Sequence, residues 1–462
     1  MSKHTKNLIL LVAGLQIILI IGLLALPAAV QAIPGRYRVA LQERNPFLSG
    51  IAEGVIDQVA PVPTALPAPK QATAVPQVDI SAALALEPTA VPPTATPIPT
   101  QPPTATPMTD TAVTPEPTPS PTPIPPTPTA VPLPSRVVLE GLGVVKQTFN
   151  SCGPANLTQV LNFYGSDITQ EQVRLYLKPN YEDRNVSPWQ IADYVNEQSQ
   201  FKAIARSGGN FELVKRFIAA GYPVVIEEGY QLPESGWWGH YLTVFGYDEE
   251  LGEMYSLDTF LGPWDGSGRV DKFEDVLPRW QQFNDTFYIV YRPEQEAEVM
   301  ALLDPALRDN FSMWAHVAEM AQEEVAAEPE NAFAWFNIGT ANNRLGRLTS
   351  EPNDLVYYQK AAEAYDKALE LGLPPRMLWY QHQIYWAYLK MDRYQDVITL
   401  ANVTLETQGG RNVEETYWYK GHALAALGDR IGARQAYQSA LAVNENFYPA
   451  QISLDWINSL SG

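Results

Sequence analysis

A chain of 462 residues has room for two to four domains at roughly 100–200 residues each, and its 40 prolines are unevenly placed, with 23 of them between Pro61 and Pro134. With 46% hydrophobic residues it can build buried cores, whereas a formal charge of −20 excludes a general nucleic-acid binder, which needs a surplus of Lys and Arg. The single cysteine, Cys152, excludes an internal disulfide and every zinc site built on paired cysteines.

Residues Leu8 to Leu26 are apolar except for Gln16 and follow Lys3 and Lys6. At about 1.5 Å per residue such a run matches a bilayer core of roughly 30 Å, so residues 1–33 read as a cytoplasmic tip with a transmembrane anchor or signal segment. Val30-Gln31-Ala32 offers a cleavage site of the signal-peptide kind, which would release the protein. The positive-inside rule places the remainder of a single-pass protein outside the cell membrane. After a short juxtamembrane segment (34–60), residues 61–135 repeat units such as Pro-Thr-Ala-Thr-Pro, and no aromatic residue occurs between Phe47 and Phe149. Fixed proline φ angles and missing donors favour an extended, disordered Pro/Thr-rich stalk.

Order is expected to resume at residue 136. Asn150-Ser151-Cys152-Gly153-Pro154 reads as a helix start, with Leu157, Val160, Leu161 and Tyr164 on one face and Gly165 as the stop. Cys152 thus sits at a helix N-terminus, where the macrodipole and unpaired N–H groups favour thiolate; the alternative for a free cysteine is a small buried hydrophobe. Gln147, five positions earlier, is placed to reach an oxyanion beside the sulfur together with the Cys152 N–H. His240 opens a strand rich in aromatic and β-branched residues, after Trp237, Trp238 and Gly239, the last leaving access to the imidazole. A turn at 249–252 returns the chain so that Asp258 can lie beside His240 and stabilise imidazolium. Trp237, Trp238, Trp264 and Tyr230 are candidates to line a cleft, with core packing as the alternative.

Gln147-x-x-x-x-Cys152-Gly153-Pro154-Ala155, then Gly239-His240-Tyr241 and Gly246-Tyr247-Asp248, then Leu257-Asp258, resembles the papain-like cysteine peptidases of the bacteriocin-processing family thirty-nine. The resemblance covers residues 136–298 and implies an α+β papain-like domain. It also implies Cys152 as nucleophile, His240 as general base and then acid, Asp258 as orienting group and Gln147 as oxyanion donor. Members often carry proline after the aspartate, where this chain has Thr259. Leader-peptide processing does not carry over, because no Gly-x-x-x-x-Gly-Lys-Ser/Thr loop is present.

From 299 to 462 the sequence repeats a helical pattern. One unit carries Trp335, Ile338-Gly339, Leu345-Gly346, Ala361, Tyr365 and Ala368-Leu369; another carries Tyr417, Gly421, Leu427-Gly428, Ala433, Tyr437 and Ala440-Leu441. These positions resemble the tetratricopeptide consensus, which implies an all-α solenoid whose concave face binds peptides or a partner protein, with Asn342, Asn343, Gln381 and Gln383 as candidates. His316, His382 and His422 show no paired helical spacing, so neither metal nor cofactor is expected.

The whole then reads as a bacterial, membrane-tethered and extracytoplasmic peptidase-like hydrolase, acting on a peptide or protein substrate and recruiting a protein partner through its repeats. A non-catalytic peptide-binding adaptor built from the same two domains is the alternative.

Overall fold

The computed structural model describes residues 65–84, 132–232, 236–407 and 409–460, together with Gln16. The apolar segment Leu8–Leu26, Gln16 apart, lies outside the described residues, as do 34–60 and most of the proline-rich stretch. Among the described residues no helix is long and apolar enough to cross a membrane.

The first folded unit is an antiparallel sheet with helices. Its elements run β1 (Arg136–Val138), α1 (Cys152–Phe163), α2 (Gln170–Leu177), α3 (Pro188–Gln198), β2 (Lys202–Arg206), α4 (Phe211–Ala219), β3 (Val224–Leu232), β4 (Gly236–Asp248), β5 (Glu253–Asp258), β6 (Arg269–Lys272), α5 (Phe273–Gln281) and β7 (Phe287–Tyr291). The sheet order is β2-β7-β3-β4-β5-β6, and β1 pairs with the C-terminal end of β4. Strand β4 is the central ribbon. Its residues are buried from Gly239 to Tyr247, so alternation is lost and the strand reads as a continuous apolar and aromatic run.

Helix α1 lies on β4 through a polar seam rather than a purely apolar one. Asn156 Nδ2 donates to Cys152 O (2.9 Å) and to Tyr241 O (3.0 Å), and Asn156 Oδ1 accepts from Thr243 Oγ1 (2.7 Å). Gln159 Nε2 bonds Thr243 Oγ1 at 2.6 Å, while its carbonyl accepts the Val145 N–H. Asn156, Gln159 and Thr243 are all fully buried, so each needs these partners. His240 lies within β4 instead of opening it, because the strand begins at Gly236 and pairs with β3 as far as Leu232.

Beyond residue 295 the chain is helical: α6 (Glu296–Leu302), α7 (Asn310–Ala327), α8 (Ala332–Arg347), α9 (Asp354–Leu371), α10 (Gln383–Lys390), α11 (Tyr394–Glu406), α12 (Glu414–Ala426), α13 (Arg430–Val443) and α14 (Tyr448–Ser459), with a 3-10 turn at Pro375–Trp379. Gly339 of α8 faces the Tyr365 ring of α9, and Gly421 of α12 faces Tyr437 of α13, each with no room for a Cβ. The paired helices approach closely because those positions carry no side chain.

Two features depart from the sequence expectations. Residues 65–84, assigned above to a structureless stalk, lie along the helix ends of the array. Leu66 N–H donates to Leu373 O, Ala74 N–H to Asp392 O and Gln77 N–H to Ala426 O, while the Lys70 and Gln71 amides bond the Asp396 carboxylate. Leu66, Ile80 and Leu84 are buried in the array's core. Composition reports what a segment can bury by itself, and this one buries its few apolar residues in another domain's core.

The second departure concerns the array face that was expected to be open to partners. Asn337 Nδ2 donates to Gln281 O, Gln381 Nε2 donates to Gln282 O, and Trp237 stacks on Phe283 and Phe333. Asn343, Gln381 and Gln383 line a cavity between the two units, and Asn342 bonds its own helix at Ile338 O. Trp237 and Phe283 of the sheet domain belong to the array's core, and Ala341 and Leu345 of the array belong to a core of the sheet domain.

Gly421→Ala should cost about 1–3 kcal/mol by overpacking the α12–α13 contact, read as a lower denaturation midpoint with unchanged helix content. An unchanged midpoint would show that the contact yields freely.

Candidate active site

The site is assembled from a loop, a helix start and two strands. Asn150, at φ +51°, turns the chain into α1, and Cys152 is the first helical residue, so its own N–H has no acceptor within the helix. The thiol is half-buried. Burial alone would raise its pKa, yet a hydrogen bond with His240, the charges of His240 and Lys178 and the Tyr241 backbone N–H together hold it below the ordinary thiol value. In the sequence reading Lys178 had no role. Its ammonium is fully buried under the nucleophile loop, donating to Asn150 O and Asp183 O at 2.6 Å each, and burial brings its pKa down to about 8.

Asp258 pairs with Leu242 across β4 and β5, which sets its side chain diagonally against His240. His240 Nε2 lies 3.0 Å from Asp258 Oδ1, leaving Nδ1 for the cysteine. Burial opposes the imidazolium, but the Asp258 charge and hydrogen bond, with the Cys152 hydrogen bond, raise the histidine pKa to about 10. The carboxylate of Asp258 is fully buried and has five partners. Oδ1 also accepts the Phe260 and Leu261 N–H groups at 2.8 Å, and Oδ2 accepts from Arg269 Nη1 at 2.6 Å and from Tyr230 Oη at 3.2 Å. Burial would raise its pKa, but the imidazole and the two backbone amides hold it well below the carboxylate range.

Gln147 is tied to the residue after the aspartate. Its backbone N–H donates to Thr259 O at 2.9 Å, and its Oε1 accepts from Thr259 Oγ1 at 2.8 Å, which turns the amide nitrogen, the donor end, away from that hydroxyl. Thr259, where the resembled family often has proline, thereby orients the amide.

Of the four residues singled out in the sequence, Cys152, His240 and Asp258 form one connected row, and Gln147 is joined to it through Thr259, the residue after Asp258. Of the four cleft candidates, Trp264 lies at the surface, 45% exposed, with the Lys146 ammonium 4.4 Å from its ring centre. Trp238 is half-buried against Trp379. Trp237 and Tyr230 are buried: the first packs in the array's core, and the second supports Asp258. Gly239 leaves room for the rings of Phe283 and Tyr380. The roles of Arg269, Lys178 and Thr259 were not legible in the sequence, because each acts through a tertiary contact, across the β5–β6 hairpin for Arg269 and between separate segments for the other two. Among the described residues no group of three or more His, Cys, Asp or Glu is placed to hold a metal ion.

Residues 139–288 match the model of the Peptidase_C39 like family, a span that contains all four site residues. Among solved structures, a crystal structure of a Bacillus anthracis protein, provisionally described as a C39-like peptidase, is similar with 16% sequence identity and a TM-score of 0.29, covering 34% of this chain and 98% of its own. No curated protein matches the sequence.

The pairing has a measurable consequence. At pH 7 an ordinary thiol of pKa 9.0 is only roughly 1% ionised. Iodoacetamide should therefore label Cys152 at pH 7 at least about tenfold faster in the native protein than in His240→Ala. In that variant burial dominates, so its rate should keep climbing as the pH passes 9.0, while the native rate gains much less. Parallel pH profiles would refute a thiolate–imidazolium pair.

Proposed function

We propose that the C39-like domain is a working cysteine peptidase that hydrolyses peptide bonds through Cys152, His240 and Asp258, with Gln147 as the oxyanion donor. In this reading the N-terminal apolar segment and the proline-rich chain tether it outside a bacterial cell membrane. The helical array is a tetratricopeptide-type domain that engages a protein partner. The observation that carries the catalytic part is the contact of His240 with both Asp258 and Cys152 inside the span that matches the family.

The chemistry follows from the geometry. The Cys152 thiolate attacks the substrate carbonyl carbon, forming a C–S bond as the carbonyl electrons move to oxygen. The developing oxyanion is met by Gln147 Nε2 and the Cys152 backbone N–H, a type of contact worth roughly 3–4 kcal/mol in the transition state. His240 imidazolium gives its Nδ1 proton to the departing nitrogen, the C–N bond breaks, and an amine leaves behind a thioester. The now neutral imidazole takes a proton from water, whose oxygen attacks the thioester. Breaking of the C–S bond releases a carboxylic acid and restores the ion pair. Asp258 stays ionised throughout, because two backbone amides and Arg269 hold its charge.

The test is digestion of a mixture of unstructured peptides by the full chain, with products identified by mass spectrometry. Cys152→Ala should abolish cleavage. Gln147→Ala should lower kcat by about 10²–10³-fold with little change in KM, since its contact forms only with the oxyanion. Thr259→Val removes only the hydroxyl that orients Gln147, and should lower kcat by about two- to tenfold, the equivalent of one net hydrogen bond. Cleavage that survives Cys152→Ala would sink the proposal, and so would efficient alkylation of Cys152 with no cleavage of any peptide.

A further inference from the structure

The segments that carry Cys152 and His240 form two walls, and the helical array packs against both at one end. On the nucleophile wall, Phe149 stacks on Tyr181 with ring centres 5.6 Å apart, and the Arg184 guanidinium lies over Phe149 at 5.3 Å. On the imidazole wall, Trp238 precedes His240 by two residues and so projects from the same side of β4. Trp379, at the end of the 3-10 turn and fully buried, touches both. It meets Trp238 edge-on at 5.8 Å, and Arg184 lies over its ring at 5.4 Å. Arg376 covers the other ring of that pair, 4.0 Å from the centre of Trp238.

The neighbouring contacts fasten this crossing. Arg184 Nε donates to Gly409 O at 3.2 Å, and Asn185 Nδ2 donates to Tyr380 O at 3.3 Å. The Tyr380 ring lies against Gly239, the residue before His240, where a Cβ would have no room. Trp379 itself is held by its indole N–H on Thr407 Oγ1 at 3.0 Å. The far end, past Gln147 and Asp258, is a different surface. There Phe260, Leu261 and Trp264 form an apolar ledge, 37%, 45% and 45% exposed, with Phe260 edge-on to His240 at 6.2 Å.

From this asymmetry we infer that substrate lies in a groove between the two walls that the array makes blind at one end, so that it takes chain ends entering over the Phe260–Trp264 ledge and excludes chains that run through. A through-running chain would have to displace a buried indole, two stacked guanidinium groups and their hydrogen bonds, whereas a chain end need only cover the exposed ledge. The inference rests on Cys152 being the nucleophile of the proposed peptidase, and it refines the substrate class to termini.

The experiment uses a short unstructured peptide carrying one chloroacetylated diaminopropionate, placed at its first, middle or last position. The warhead is identical in all three, and its chloride leaves as Cys152 forms the C–S bond. Labelling of the full chain is followed by mass spectrometry, each rate taken relative to that of iodoacetamide on the same protein. A blind groove should give at least about a tenfold faster reaction at one terminal position than at the middle one. Trp379→Ala should raise the middle-position rate toward the terminal one, and Arg184→Ala serves the same purpose should the buried tryptophan prove essential for folding. Equal rates at all three positions in the native chain, or a middle-position rate indifferent to a folded variant, would overturn the inference. Neither result depends on hydrolysis, so failure of the peptidase reading and failure of the blind groove are told apart.

Discussion

The site depends on one buried polar seam. Asn156 and Gln159, one turn and two turns along the helix that starts at Cys152, hold Tyr241 O and Thr243 Oγ1 on the strand that carries His240. A purely apolar contact between helix and strand would tolerate sliding, since hydrophobic attraction has no direction. Amide and hydroxyl groups with no exposure do not, because each displaced partner leaves an unsatisfied buried group costing about 1–3 kcal/mol. The seam therefore fixes how far the sulfur sits from the imidazole. The same Asn156 also bonds the Cys152 carbonyl and reaches Thr259 at 3.4 Å, so the helix, the strand and the residue that bonds Gln147 share one anchor.

Charge is arranged around that anchor in a fixed order. Asp258 is buried but saturated by Arg269, Tyr230 and two backbone amides, and it holds the imidazole protonated. The imidazole in turn lowers the Cys152 pKa, with the Lys178 charge beneath the loop acting in the same direction. Buried ions are costly unless paired and hydrogen-bonded, and here every member of the row has a partner on each side. Concentrating that cost in one row of groups is the usual mark of a site built for chemistry rather than for stability.

The helical array is structurally inseparable from this arrangement. Trp237 of β4 and Phe283 belong to the same core as Phe336, Tyr365 and Tyr385, so the sheet domain completes its burial on the array. Residues 65–84 close the array on another side, with Arg393 bridging Asp366 and Asp396 beneath the backbone amides of Lys70 and Gln71. Two carboxylates and one guanidinium leave a negative surplus there, which the Lys70 and Gln71 backbone N–H groups and the Gln71 side-chain amide offset.

Several parts of this were legible in the amino-acid order alone. The helix start at Cys152, the strand bearing His240 and the return to Asp258 are local patterns, set by capping preference, side-chain periodicity and turn residues. The glycines facing Tyr365 and Tyr437 were legible for the same reason, through spacing within paired helices. What the order of residues left open were contacts that cost no local pattern: Lys178 under the nucleophile loop, Arg269 on the aspartate, Thr259 on Gln147, and a proline-rich segment lending three apolar side chains to a distant core. Each is a tertiary contact, across the β5–β6 hairpin for Arg269 and between separate segments for the rest, so propensity and periodicity carry no trace of it. Only the packed structure, by setting Trp379 between Trp238 and Arg184, decided that the array packs against both sides of the site and is not a free arm beside it.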